Sequence, residues 1–257
     1  MIAKRMVLLA GVGEPTRICF NALRSFFPPV AVVLEQPVPR REFLAKRARR
    51  FGWRVVAGQL LFSATVVPWL RSISGTRRKQ ILHDFSLDPS PIPESEITYV
   101  DSVNSSQTIQ TLQELRPDFV LLCGTRIVSP QVLEQVPAVF LNIHAGITPL
   151  YRGVHGAYWA LSKGQPEACG VTVHLVDKGI DSGGILAQAI IRPTAEDSFV
   201  TYPLLQLGVG LQLLSGVLKR MVACERWTLP APQGESVLWT HPTFMQYWQN
   251  RRKLGIK

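Results

Sequence analysis

The sequence predicts an α/β fold: a mostly parallel, twisted sheet with helices on both faces and an antiparallel strand pair near its C-terminal end. Short apolar runs such as MVLLAG (6–11), VAVVLEQ (30–36) and DFVLLCG (118–124) have the composition of strands buried on both faces. Stretches with helical periodicity lie between them, which gives the β-α-β order of a parallel sheet. Late in the chain, GVTVHLVD (170–177) and ILAQAIIR (185–192) read as two antiparallel strands joined by KGIDSGG.

Each element follows in order. After the first strand, Pro15 suits the first turn of a helix in which Cys19, Leu23 and Phe26 share a face. ITYVDSV (97–103) is a short strand with a loop. SSQTIQTLQELRP is a helix capped by Ser105 or Ser106 and ended before Pro117. SPQVLEQVP (129–137) is a short helix, VFLNIH (139–144) a strand and HGAYWALSKG (155–164) a helix. Leu204, Leu207, Leu211, Leu214, Leu218 and Met221 recur at helical spacing and mark a long core-facing helix, favoured over a coiled-coil seam. The Pro- and Trp-containing tail after Trp227 is expected to pack against the surface. The domain reading is thus 1–225 as the main domain, with a helical insertion at about 38–95, and 226–257 as a short C-terminal tail.

Composition narrows the class. A chain of 257 residues, 46% hydrophobic, suits one globular domain. No apolar run reaches the roughly 18–20 residues of a membrane-spanning helix. The opening MIAKRMVLLAGVG is read as a strand, not a signal peptide. Four scattered cysteines without a C-x-x-C pair fit a reduced, cytoplasmic setting and give no zinc pattern. The formal charge is +10, and residues 40–79 carry all of it, with eleven Lys or Arg against the single acid Glu42. The basic balance therefore describes one insertion and not the whole fold.

GVGEPT (11–16) opens like a dinucleotide fingerprint, with Glu35 at the end of the second strand where a ribose-binding acid would sit. The third glycine is replaced by Thr16, and Glu14 would repel a pyrophosphate. A structural turn is the preferred reading.

LNIHAGITPLYRGVH (141–155) raises the chemical question. Asn142 and His144 alternate at a strand end and so point to one side of the sheet. Asp181 sits in the glycine-rich VDKGIDSGG loop. An amide N–H and an imidazole N–H can face a developing oxyanion, and a carboxylate can tune the imidazole or hold a water for proton transfer. Acyl transfer to an amine needs those groups and no nucleophilic Ser or Cys. Taken alone, Asn-x-His is most often structural, and the set His144, His155, His174 and Asp181 matches no metal-ligand spacing.

LNIHAGITPLYRG followed by GVTVHLVDKGIDSGGILAQ resembles the folate-dependent formyltransferases, which include glycinamide ribonucleotide, methionyl-tRNA and sugar N-formyltransferases. The resemblance spans roughly residues 100–195. It implies a Rossmann-like formyltransferase fold, 10-formyltetrahydrofolate as co-substrate, no metal, and Asn142, His144 and Asp181 as the catalytic trio. In that mechanism Asn142 and cationic His144 stabilise an oxyanion while Asp181 orients a water or His144. LLCGTRIVSP (121–130) resembles the segment that grips the pterin, so Arg126, Ile127 and Val128 are expected at the co-substrate, facing Asp177, Gly179 and Ile180. Tyr151, Arg152, Gly153, His155 and His174 are expected to bind substrate or support the site.

The acceptor is read from departures. GVGEPT lacks the Gly/Asn/Ser-rich phosphate loop of the ribonucleotide enzyme. The chain also ends about thirty residues after its last helix, short of the further domain of the methionyl-tRNA enzyme, so tRNA is disfavoured. A small-molecule amine is expected, with an amino-sugar, nucleotide- or lipid-linked, favoured. The alternatives are methionyl-tRNA or glycinamide ribonucleotide formylation, formyltetrahydrofolate hydrolysis, and a membrane or nucleic-acid binding module with a relic site. In the insertion, basic flanks surround an apolar middle (55–70) with tryptophans near its edges. Sixteen residues broken by Pro68 are too few to span, so residues 40–79 suggest peripheral membrane contact by an interfacial helix. The competing readings are a helical hairpin packed on the domain or within a homodimer.

Overall fold

The computed structural model describes residues 4–224 and 235–257, so the first part of the expected tail, 226–234, lies outside the described residues. Among the described residues nine strands are defined: β1 (Met6–Gly11), β2 (Ala31–Glu35), β3 (Ile97–Val100), β4 (Phe119–Cys123), β5 (Val139–His144), β6 (Arg152–Gly153), β7 (Gly170–Leu175), β8 (Ile185–Ile190) and β9 (Leu238–Trp239). Seven of them form one sheet in the order β3-β2-β1-β4-β5-β7-β8. The pairs from β3 to β5 are parallel, and β5–β7 and β7–β8 are antiparallel. The predicted α/β class, with its antiparallel pair, is the class observed.

Alternation along the strands separates two apolar layers. Met6, Leu8 and Ala10 of β1 face the layer built with helices Glu14–Phe26, Tyr202–Val222 and Phe244–Leu254. Val7 and Leu9 face the other, with Ile109 and Leu112 of helix Ser106–Leu115 and Val132 of helix Pro130–Gln135. Ser105 caps the first of these two helices by accepting the Thr108 N–H. Leu204, Leu211, Leu214 and Leu218 of the long helix are buried, as a core-facing stripe requires.

The chain leaves β1 toward β2 on one side and returns to β4 on the other. Ligand crevices in open sheets form at such a reversal, beyond the C-terminal ends of the strands. Here those ends approach closely: a Cβ at Gly11 would collide with the Gly124 carbonyl. Thr16 takes the place of a third fingerprint glycine and donates its hydroxyl to the Gly11 carbonyl at 2.6 Å, which closes the turn internally.

The insertion holds helices Arg40–Phe51, Trp53–Ile73 and Gly75–Asp84. Pro68 does not break the middle helix, contrary to the sequence expectation. Proline lacks an N–H, and its ring crowds the carbonyl four residues back. A widened turn over Phe62–Val66 precedes it, in which Val67 N–H reaches the Phe62 carbonyl, and the helix continues through the proline. The result is a 21-residue helix with an 18-residue stretch of mean hydropathy 1.2, long and apolar enough to cross a membrane by length and composition. One face, however, lies against the domain, where Val56, Gln59, Phe62, Val66 and Leu70 are buried. Arg77 of the following helix pairs with the buried Asp197 at 2.8 and 3.1 Å. Burial pushes the Asp197 carboxyl upward, but Arg77 and the Thr194 N–H outweigh it and hold the group below its ordinary range.

The C-terminal residues join the core. β9 pairs with β6, and Tyr247 of helix Phe244–Leu254 is fully buried. Phe62 meets Phe199 at 4.9 Å and Tyr247 at 5.2 Å between ring centroids, so one buried ring joins the insertion, the domain and the chain end. Phe62→Ala should destabilise the protein by about 3–5 kcal/mol, read from the shift in a denaturant-unfolding midpoint.

Candidate active site

β5 delivers Asn142 and His144 to one side of the sheet at its C-terminal end. The antiparallel register with β7 then sets His174 directly opposite Asn142. The β7–β8 loop returns Asp181 over both, with its backbone in the left-handed region at φ 49°. A non-glycine residue there is held by its surroundings.

The four groups form one buried cluster. Asn142 Nδ2 lies 3.2 Å from His174 Nε2 and 3.4 Å from Asp181 Oδ1. His144 Nδ1 is 3.4 Å from Asp181 Oδ2, and its Nε2 is 2.7 Å from the Tyr151 carbonyl. His174 Nδ1 lies 2.7 Å from the Leu175 carbonyl. A carbonyl only accepts, so the Tyr151 and Leu175 contacts assign hydrogens to His144 Nε2 and His174 Nδ1. His174 Nε2 is then free to accept from Asn142. His144 Nδ1 is left facing a carboxylate, and a proton arriving there gains a charge-assisted hydrogen bond.

Electrostatics match this layout. Burial lowers the His144 pKa, against the pull of Asp181 and the Tyr151 carbonyl, so the resting ring is neutral at pH 7. For Asp181, burial raises the pKa but is outweighed by His174, His144 and the Gly153 N–H, and the carboxyl stays below its ordinary value. The cluster therefore holds an anion beside a neutral ring that can take up a proton.

Tyr151, Arg152 and Gly153 reach the cluster through its neighbours. Tyr151 supplies its carbonyl to His144, while its hydroxyl bonds Gln165. Arg152 Nε donates to the Ile180 carbonyl at 2.6 Å, and the Gly153 N–H donates to Asp181 Oδ2 at 2.9 Å. Gly146 is required where it stands: a Cβ would strike the Tyr151 carbonyl and sit 2.8 Å from His144 Nε2.

A cavity of ≈ 380 Å³ opens over the cluster. Arg126, Ile127 and Val128 form one wall, Asp177, Gly179, Ile180 and Asp181 another, and Asn142, His144 and His174 lie with them. Asp177 shapes its loop by accepting from the Gly179 N–H at 2.9 Å and the Ser182 hydroxyl at 2.8 Å. The opposite loop is fastened by Glu35, a group the motif reading considered for ribose. It is buried and accepts the Arg126 N–H at 2.6 Å and the Val103 N–H at 3.2 Å. Asn104 binds the Ile127 carbonyl at 2.9 Å. Neither structural role has a local signature in sequence.

His155 lies elsewhere. It lines a second, larger cavity of ≈ 880 Å³ with Glu14, Arg71, Arg78, Phe199 and His241. Its Nε2 is 3.0 Å from His241 Nδ1. His241 was missed in sequence because 86 residues separate the pair and only the fold brings them together. Burial, with smaller repulsion from His241, pulls His155 down to about 3, and burial with Arg47 pulls His241 down to about 4. Both are lower than the ordinary value of 6.5, so the unfolded chain binds more protons below that pH. The pair's contribution is complete above pH 6.5 and is lost as pH falls toward about 4 and 3. Unfolding midpoints between pH 7.5 and 4.5 should fall less steeply for a His155→Gln/His241→Gln variant than for the native chain.

Comparison with known proteins agrees with this geometry. Residues 83–204 match the family model described as formyl transferase. A methionyl-tRNA formyltransferase from Kosmotoga olearia is 34% identical over 125 residues, 48% of this chain and 40% of that one. One from Chloroflexus aurantiacus is 33% identical over 162 residues, 60% and 51% of the two chains. The matches thus cover about half the length of these curated relatives. Among solved structures, phosphoribosylglycinamide formyltransferase from Streptococcus pneumoniae superposes with a TM-score of 0.55 at 20% identity, covering 85% of this chain and 99% of that one. A sugar N-formyltransferase from a Shewanella species gives 0.56 at 16% identity, with 90% and 75% covered. Those likenesses show a common fold, and the segment that matches the formyl transferase model carries the whole Asn142–His144–Asp181 cluster.

Proposed function

We propose that the protein transfers a formyl group from 10-formyltetrahydrofolate to an amine on a small molecule. The carrying observation is the convergence of Asn142, His144 and Asp181 on one cavity whose walls are the 126–128 and 177–181 loops. The cavity fits a flat bicyclic ring, since Leu122, Ile127, Val128 and Val176 give apolar surface beside exposed polar backbone. The co-substrate supplies the formyl carbon when bound.

The chain's own groups do the remaining work. The Asn142 carboxamide nitrogen spends its hydrogens on His174 and on the longer contact to Asp181, and a formyl oxygen can take the place of the latter. Donation to that oxygen as it gains charge lowers the barrier by roughly 3 kcal/mol. The attacking amine must lose a proton. His144 Nδ1 is the neutral base that receives it, and Asp181 at 3.4 Å stabilises the resulting cation. The His144 cation then gives that proton to the leaving nitrogen as the carbon–nitrogen bond breaks. Arg152 and Gly153 keep Asp181 in its left-handed position throughout.

The second cavity is the proposed acceptor site. Val154 borders the first cavity and His155 the second, so they meet at adjacent residues. Its wall of imidazoles, serine hydroxyls, Glu14 and Arg71 is dense in hydrogen-bonding groups beside Phe199 and Leu204, as a sugar ring with an attached anionic group would require. An amino-sugar, nucleotide- or lipid-linked, is the favoured acceptor. Methionyl-tRNA is the second reading, favoured by the names of the 33–34% identical relatives.

The test is incubation with 10-formyltetrahydrofolate and a panel of amino-sugar nucleotides or charged methionyl-tRNA, read as mass gain of one formyl group. Formylation of an amino-sugar and not of tRNA is expected. Steady formate release without any amine would instead make the protein a hydrolase. His144→Ala, Asn142→Ala and Asp181→Asn should each lower turnover by at least about a hundredfold, with unfolding midpoints measured alongside. Unchanged turnover in the His144 variant would remove the proton-transfer role.

A further inference from the structure

The Trp53–Ile73 helix has a second face that is largely exposed. Opposite its buried side, Trp53 is 65% exposed, Leu61 48%, Trp69 38% and Ile73 55%, with Ala57, Ala64 and Pro68 between them. At about 1.5 Å per residue this row runs along roughly 30 Å of surface. Exposed apolar side chains scattered singly need no explanation, but a continuous row bearing tryptophans near both ends does.

Charge identifies what would cover it. Residues 40–79 carry eleven cationic side chains and one acid. Several are used inside the protein: Lys46 pairs with Glu42, Arg77 with Asp197, Arg78 with Glu14, and Arg47 donates to Gln59. Among the described residues no ion pair engages Arg40, Arg41, Arg49, Arg54 or Arg71, which lie on the flanks of the apolar row or within it. Trp69 is also stacked near Trp248 and lies 5.0 Å from the Arg251 guanidinium, so the cationic rim extends onto the last helix. A partner complementary to both features offers hydrocarbon at its centre and negative charge at its edge. Nucleic acid has the charge without the hydrocarbon. The headgroup region of an anionic bilayer has both, and tryptophan and arginine are the side chains suited to that boundary.

The buried face decides the orientation. Gln59 donates to the His241 carbonyl at 2.7 Å and accepts from Arg47 at 2.6 Å, and Phe62 is fixed between Phe199 and Tyr247. Crossing a membrane would strip these contacts, whereas lying flat keeps all of them.

We propose that the exposed face of the Trp53–Ile73 helix, with its flanking arginines, docks the protein on an anionic lipid bilayer, the helix lying in the headgroup plane. This does not depend on the formyl-transfer reading. It does place the second cavity at the lipid surface, because Ser63, Val67 and Arg71 of the same helix line that cavity.

The experiment is co-sedimentation of the whole chain with phosphatidylcholine vesicles, with and without about 30 mol% phosphatidylglycerol, in low salt and in about 0.5 M salt. Binding should be at least about tenfold stronger to the anionic vesicles, fall in high salt and be released by alkaline carbonate. Trp53→Glu/Ile73→Glu should weaken it at least about tenfold, and Trp53→Phe/Ile73→Leu should restore it. All four substitutions are at exposed positions, and unfolding midpoints would verify the fold. Absence of binding to anionic vesicles, or equal binding by the glutamate variant, overturns the proposal. Resistance to carbonate would show a spanning helix, and a dimer dissolved by the same glutamates would show that a second copy covers the face. Either result also overturns it.

Discussion

The Asp181 carboxylate is the contact on which the rest of the site depends. Asn142 and His144 come from one strand, His174 from the next and Gly153 from the loop between them, and all four lie within 2.9–3.7 Å of its two oxygens. An anion removed from water in this way is costly unless it is surrounded by donors. The Asn142 amide of β5 and the Gly153 N–H of the β6 turn are the donors it meets, and the sheet register sets His174 opposite Asn142 beside them. The left-handed backbone at Asp181 persists because these partners over-determine it. Position, charge state and proton path therefore come from one arrangement.

Much of this was legible in sequence because it is local or periodic. Buried strands are continuous apolar runs, so the strands could be located before their order in the sheet was known. Asn142 and His144 share a face by the two-residue period of a strand. The roles of Tyr151, Arg152 and Gly153 were less legible, because two of them act through backbone groups and Arg152 through a carbonyl. Glu35 looked like a ligand-binding acid because its place at a strand end is the same whether it meets a ribose or a loop. His241 and Tyr247 could not be placed at all, since the contacts that define them join residues 86 and 185 positions apart.

Pro68 shows a different limit. Proline rules describe a regular helix, in which the missing N–H and the ring collision both act on the preceding turn. Widening that turn removes the conflict, but the choice between breaking and widening is made by packing. Phe62, Val66 and Leu70 gain a buried face only if the helix continues. The insertion is thus held by the core while its outer side, free of that demand, carries the apolar row and the arginines.

The widened turn at Phe62–Val66 also gives the segment a fixed phase. Winding it as an ordinary turn with the same number of residues would turn everything after it by about 100° around the helix axis. Leu70 would leave the core, a neighbour such as Trp69 or Arg71 would rotate toward it, and the outer row would no longer line up with itself. Side chains along this helix can be exchanged one at a time, but its length is as constrained as the tooth count of a gear. Relatives that keep both faces should vary in composition between residues 53 and 73 and resist insertions and deletions there outside the widened turn.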